Sequence, residues 1–193
     1  NYGQKQGIKS NSIYGLSIDD KNNLLIGTNG GLLMLSNENK LVAFNKLNGI
    51  ENEVIYCSKQ THQGIFFGSY GGGLYWLKNN NELANISVKD GLCDQSVLSL
   101  TIDDKNNLYC ATAKGISIID YTSHALKISN YSTNEGFIND DFNANAIALY
   151  KDKLVLGCHD YLIKADLSEF KTGSNEIPFL TDVELGEHSI KTL

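Results

Sequence analysis

Four histidines, two repeated carboxylate pairs and four cysteines are the residues of this 193-residue chain whose types could do chemistry. General acid–base or nucleophilic catalysis needs a histidine and a carboxylate gathered on one face, and metal chemistry needs a ligand set there. His62, His124, His159 and His188 are scattered along the chain. The carboxylate pairs sit inside one repeated phrase, Asp19-Asp20-Lys21-Asn22-Asn23 and Asp103-Asp104-Lys105-Asn106-Asn107. A pair that returns with its neighbours is the mark of a turn rather than of a catalytic dyad. The second phrase also lacks the later Glu of an EF-hand loop. Cys57, Cys93, Cys110 and Cys158 form no Cys-x-x-Cys and have no histidine at zinc spacing, so inert, mostly buried thiols are expected. The chemistry-bearing residues thus predict no catalytic centre, no metal and no cofactor.

The elements that position these residues come from an internal repeat. Gly7-Ile8, Gly49-Ile50, Gly91-Leu92 and Gly136-Phe137 each open a unit, at spacings of 42, 42 and 45 residues. A fixed period of this size means one supersecondary unit, copied and stacked, that does not bury its apolar faces alone. Each unit reads as a first apolar strand (Ile13 to Ile18, Val54 to Ser58, Val97 to Ile102, Ala144 to Leu149), a polar turn and a second strand ending near Thr28, Ser69, Thr112 and Cys158. A tight turn and a third strand follow, and the first three units add a weaker fourth near Leu41–Phe44, Leu83–Val88 and Leu126–Tyr131. Gly27, Gly68, Ala111 and Gly157 put a small residue in each second strand, where neighbouring backbones approach closely. Four short strands per unit, punctuated by Gly and Asn, predict an all-β fold of four consecutive four-stranded β-propeller blades, expected as part of a seven-bladed wheel. The expected division is 1–6 as the end of a preceding blade, 7–48, 49–90, 91–135 and 136–176 as blades, and 177–193 as the start of a β-sandwich. Trp76 and Tyr75, adjacent in a third strand, should point to opposite faces and serve as core.

Composition narrows the partners. The net charge is −6 with no basic stripe, which argues against nucleic acid. No apolar run approaches the length of a membrane helix and no signal peptide is present, so contact with a membrane is expected only through segments outside this chain. The chain opens on Asn1 inside the repeat pattern, which raises the expectation of a longer protein with blades before it and a sandwich after it. In an open arc of four blades, the faces at Ile13–Ile18 and Ala144–Leu149 would lack neighbours. Asn85-Ile86-Ser87 and Asn130-Tyr131-Ser132 match the glycosylation triplet, a match that arises by chance in an Asn-rich chain.

Blade geometry nominates a binding face. The loop entering a first strand shares a rim with the turn between second and third strands. The entering loops supply Ser10, Asn11, Asn52, Glu53, Asp94, Gln95, Asp140 and Asp141, and the turns supply Asn29, Tyr70, Lys114, His159 and Asp160. Of these, Asn11, Asn29, Asn52, Tyr70, Gln95, Lys114, Asp141, His159 and Asp160 are the candidate ligand-binding residues. Amides, carboxylates and an aromatic face suit the hydroxyls and flat apolar face of a sugar. The same residues also suit ordinary solvated turns.

The string from Asn11 to Leu32 resembles the two-component regulator propeller repeat, with Leu25, Phe66, Tyr109 and Val155 where that repeat carries a Trp. Gly136 to Asn143 is similar to the last blade of such proteins, and Ile177-Pro178-Phe179-Leu180-Thr181-Asp182-Val183 to the entry of their triple-tyrosine β-sandwich. The resemblance implies the periplasmic part of a membrane-bound, often hybrid, histidine kinase that senses glycan fragments and dimerises. On that basis the region itself is expected to be a non-catalytic sensor that binds an oligosaccharide or other small ligand. A ligand-free interaction scaffold is the second reading and a propeller lyase or hydrolase the third.

Overall fold

The structure is a computed structural model that describes residues 3, 7, 8, 10, 12–52, 54–123, 125–133, 141–170, 182–185 and 188–190. Four antiparallel sheets follow one another along the chain, each ordered as in sequence. The first holds β1 (Ile13–Ile18), β2 (Leu24–Thr28), β3 (Gly31–Leu35) and β4 (Leu41–Phe44). The second holds β5 (Ile55–Thr61), β6 (Gly64–Ser69), β7 (Leu74–Lys78) and β8 (Leu83–Ile86). In the third are β9 (Val97–Ile102), β10 (Asn107–Thr112), β11 (Gly115–Asp120) and β12 (Lys127–Tyr131). The fourth contains β13 (Phe142–Tyr150), β14 (Lys153–Cys158) and β15 (Leu162–Asp166), then β16 (Asp182–Leu185) and β17 (His188–Ile190). This is the all-β, four-bladed propeller arrangement that the repeat predicts. The β16 and β17 strands fall in the segment assigned from sequence to a following sandwich. Here β16 pairs with β15, in the outer place that β4, β8 and β12 hold in the other sheets.

Local turn chemistry makes the hairpins. Asp19 Oδ1 accepts from the N–H groups of Lys21 (2.9 Å) and Asn23 (2.7 Å), and Oδ2 accepts from Asn23 Nδ2 (2.7 Å). Asp103 repeats the pattern at 2.9, 2.8 and 2.8 Å, and also accepts from the Tyr109 hydroxyl at 3.1 Å. The repeated carboxylates therefore fold the β1–β2 and β9–β10 turns. On the opposite rim, the hydroxyls of Thr28, Ser69 and Thr112 donate to the carbonyls of Gly31, Gly73 and Gly115 at 2.8–2.9 Å. The phrase that opens each unit also has a mechanical meaning. Gly49 ends a 3-10 turn (Lys46–Asn48, capped by Asn45) at φ 93, and Gly91 ends its copy (Val88–Asp90, capped by Ser87) at φ 106. Positive φ suits glycine there. The next residue, Ile50 or Leu92, plugs the core.

The blades pack through alternation along their central strands. Phe67 and Tyr75 face the junction with the first blade, among Leu25, Leu32, Ile50 and Ile55. Phe66 and Trp76 face the other way, among Leu74, Val97, Leu108, Ile119 and Tyr121. Trp76 and Tyr75 are thus both core and point oppositely, as expected. A third cluster, built on Tyr109, Ile116, Ile118, Leu154, Leu156 and Ile163, joins the third and fourth blades. A small fourth one, Ile8, Ile26 and Leu33, covers the far face of the first blade. Among the described residues no apolar cluster joins the fourth blade to the first. On β1, Ile13, Leu16 and Ile18 are 54%, 64% and 63% exposed.

Candidate functional site

The innermost strands β1, β5, β9 and β13 run side by side and line an open cleft of about 540 Å³. Its lining includes Tyr14, Leu16, Ser17, Ser58, Lys59, Leu100 and Asn145. Irregular strand pairing re-aims residues in and beside the cleft. The β1–β2 register passes from Ile13 to Gly15 and skips Tyr14, and the β5–β6 register passes from Ile55 to Cys57 and skips Tyr56. In the third blade Leu98 is skipped in the same way. A bulged residue has no partner across its hairpin and is re-aimed. Tyr14 and Tyr56 meet edge to face at 5.2 Å, and Tyr56 meets Tyr70 at 5.8 Å. Three tyrosines thus form a ladder from the cleft to the rim. Burial first, and then the neighbouring phenols of Tyr14 and Tyr70, raise the Tyr56 hydroxyl above its ordinary pKa.

The fourth blade contributes an amide. In β13 the register breaks between Phe142 and Ile147, and Asn145 stands at φ 57. Its Nδ2 donates to the carbonyls of Tyr14 and Tyr56, both at 2.9 Å. Two carbonyl acceptors fix the amide orientation, because only the NH2 side can donate to both. The Oδ1 is thereby left to accept. Ser99 braces this bulge, its Oγ accepting from Ala146 N–H at 2.8 Å and donating to Asn143 O at 3.3 Å. Across the first junction the Ser17 and Ser58 hydroxyls bond each other at 2.6 Å.

The rim residues nominated from sequence have mostly local partners. Asn29 is exposed and accepts from the Ser10 hydroxyl. Asn52 Oδ1 accepts from Val54 N–H at 3.2 Å, while the Tyr75 hydroxyl accepts from the Asn52 N–H at 3.3 Å. Gln95 uses its backbone carbonyl to accept from Gly73 N–H at 2.7 Å. Lys114 pairs with Asp94 at 3.2 Å, and His159 lies 3.8 Å from Asp160 with both side chains exposed. Asp141 is exposed, and its charge adds to burial in raising the Cys158 thiol pKa. Tyr70 lies beside the cleft through Tyr56. Asn11, Glu53 and Asp140 lie outside the described residues. Tyr14, Tyr56 and Asn145 were not singled out from the sequence. The available signal was the recurrence of a tyrosine 42 positions on, directly after an isoleucine.

His62 sits on the opposite side of the blades, 3.2 Å from Asn106 Oδ1 and against Tyr121. Among the described residues no group of three His, Cys, Asp or Glu could hold a metal. Burial pushes the Cys57 thiol up to about 12, and burial together with the neighbouring Cys57 raises Cys110 well above its ordinary value. Such thiols stay protonated and are poor nucleophiles. The amides of Asn85 and Asn130, in the two glycosylation triplets, donate to the Gly72 and Gly91 carbonyls at 2.8 Å.

No family model matches the sequence, and no curated protein matches it. Among solved structures, the chain is similar to the extracellular domain of a hybrid two-component system, BT3049, from B. thetaiotaomicron (TM-score 0.73, 16% identity, 97% of this chain and 26% of that one). It is also similar to a streptogramin B lyase (TM-score 0.67, 12% identity, 86% of this chain and 55% of that one). A third likeness is to the extracellular domain of another B. thetaiotaomicron system, BT4673 (TM-score 0.52, 14% identity, 92% and 29%). The chain therefore spans about a quarter of the first of these and about half of the lyase. At such identities the likeness establishes the propeller fold, which sensors and an enzyme share. No helix among the described residues is long and apolar enough to cross a membrane.

Proposed function

We propose that the chain is a non-catalytic, extracytoplasmic sensor module of a two-component signalling protein, working in the periplasm. It binds a glycan-derived ligand and passes the signal across the membrane to a kinase, with dimerisation of the longer protein as part of the relay. The observation that carries this reading is the axial cleft. It presents Tyr14 at the end of the tyrosine ladder, the Asn145 amide and the Ser17–Ser58 hydroxyl pair, and among its lining there is no histidine or carboxylate to do acid–base work. The fold shared with extracellular domains of hybrid two-component systems supports the same reading.

A ligand that binds only the folded state raises the melting temperature by mass action. A thermal-shift screen against a glycan library is expected to give a selective rise with a small set of saccharides, and no turnover of any of them. Glycan cleavage that is lost on changing His159 would overturn the reading in favour of an enzyme. The second reading, an interaction scaffold, draws on the exposed strip Ile13, Leu16 and Ile18. A flat screen with concentration-dependent self-association would favour it.

A further inference from the structure

The chain carries 22 acidic against 16 basic residues, yet the one side chain lining the axial cleft that is charged at neutral pH is basic, Lys59. Among the described residues no carboxylate lies within ion-pair distance of its ammonium, although four other lysines, Lys40, Lys78, Lys114 and Lys153, have such partners. Lys59 is half-buried in β5, where water screens its charge less than at an open surface. It lies three residues along the strand from Tyr56, roughly 10 Å at the rise of a β-strand. The cleft also offers Asn145 Oδ1 as an acceptor and one free hydroxyl proton from the Ser17–Ser58 pair. The cleft lining thus brings together an aromatic ring, polar acceptor and donor groups and a cation.

We infer that the axial cleft takes an acidic oligosaccharide. One ring lies against Tyr14 at the mouth, hydroxyls meet Asn145 and the serine pair, and a carboxylate or sulfate reaches Lys59. This rests on the saccharide reading above and narrows it to anionic sugars longer than a single ring. An aromatic face takes the C–H face of a sugar, and an ammonium is a point charge suited to an oxyanion.

The test is titration calorimetry of the purified protein with galacturonate oligomers and heparin-derived oligosaccharides, against cello- and malto-oligosaccharides of matched length. Binding of at least one acidic series is expected, weaker at higher salt. Lys59→Gln should weaken it about tenfold or more, the loss of one charge-assisted contact. Lys59→Arg should restore it to within about threefold, since the charge is kept. Melting temperatures of both variants should match the parent. Equal binding of neutral and acidic series, or an unchanged affinity in Lys59→Gln, overturns the inference and leaves the saccharide reading standing. Binding of neither series overturns both.

Discussion

At the scale of single residues, the carboxylates that look most like a catalytic pair are turn-makers. Asp103 accepts from three nitrogen donors and the Tyr109 hydroxyl, whereas its neighbour Asp104 is exposed. Asp103→Ala is therefore expected to lower stability by about 1–3 kcal/mol, and Asp104→Ala by less than about 0.5 kcal/mol, in urea unfolding. Equal effects would remove the turn assignment. The thiols give a pH dependence. An unfolded thiol ionises near its ordinary value of 9.0, while burial holds folded Cys57 protonated up to about 12. The folded state thus keeps its proton more tightly, so this contribution is full below pH 9 and is lost as pH rises through that window. Melts from pH 8 to 11 should show the decline, and Cys57→Ala should reduce its slope. In native protein, thiol reagents should label the partly exposed Cys93 first, and Cys57 and Cys110 only with denaturant.

At the scale of elements, strands and turns are legible because their causes are local. The paired Asp–Asn phrases, the Thr-x-x-Gly turns and the Gly-Ile opening each complete their hydrogen bonds or φ requirement within a few residues. The small residue in the second strand is equally readable. A Cβ on Gly27 would lie 2.7 Å from the Ile55 carbonyl of the next blade, while one on Gly30 would meet nothing nearer than 3.9 Å. Gly27→Ala should cost about 1–3 kcal/mol through overpacking, and Gly30→Ala should be tolerated, as thermal melts can check. The site is not legible in this way. Alternation along β1 says nothing of the bulge that re-aims Tyr14, and the Asn145 amide reaches a carbonyl 131 residues away. The outer strand of the fourth blade escaped for a related reason. Asp182–Leu185 takes its place through pairing with β15, not through the repeat phrase.

At the scale of the whole molecule, stability resides in the junctions between blades. Phe67 is fully buried at the first junction, where it stacks on Tyr75 at 5.4 Å. Leu16 stands on the uncovered face of β1. Phe67→Ala should cost about 3–5 kcal/mol. Leu16→Lys should change stability by less than about 0.5 kcal/mol at any protein concentration. A large, concentration-dependent loss in Leu16→Lys would mean that this face is covered in solution, as the scaffold reading requires. The repeat made the blade count legible from the sequence, since four copies of one phrase need four copies of one sheet. It does not show the cleft, because the inner strands form it only when the blades come together. The most direct measurement is a crystal structure of the protein soaked with the saccharide that raises its melting temperature most. Sugar density in the axial cleft beside Tyr14, Asn145 and Lys59 is the expected result. Density confined to another surface of the blades, with the cleft empty, would contradict the assignment of the site.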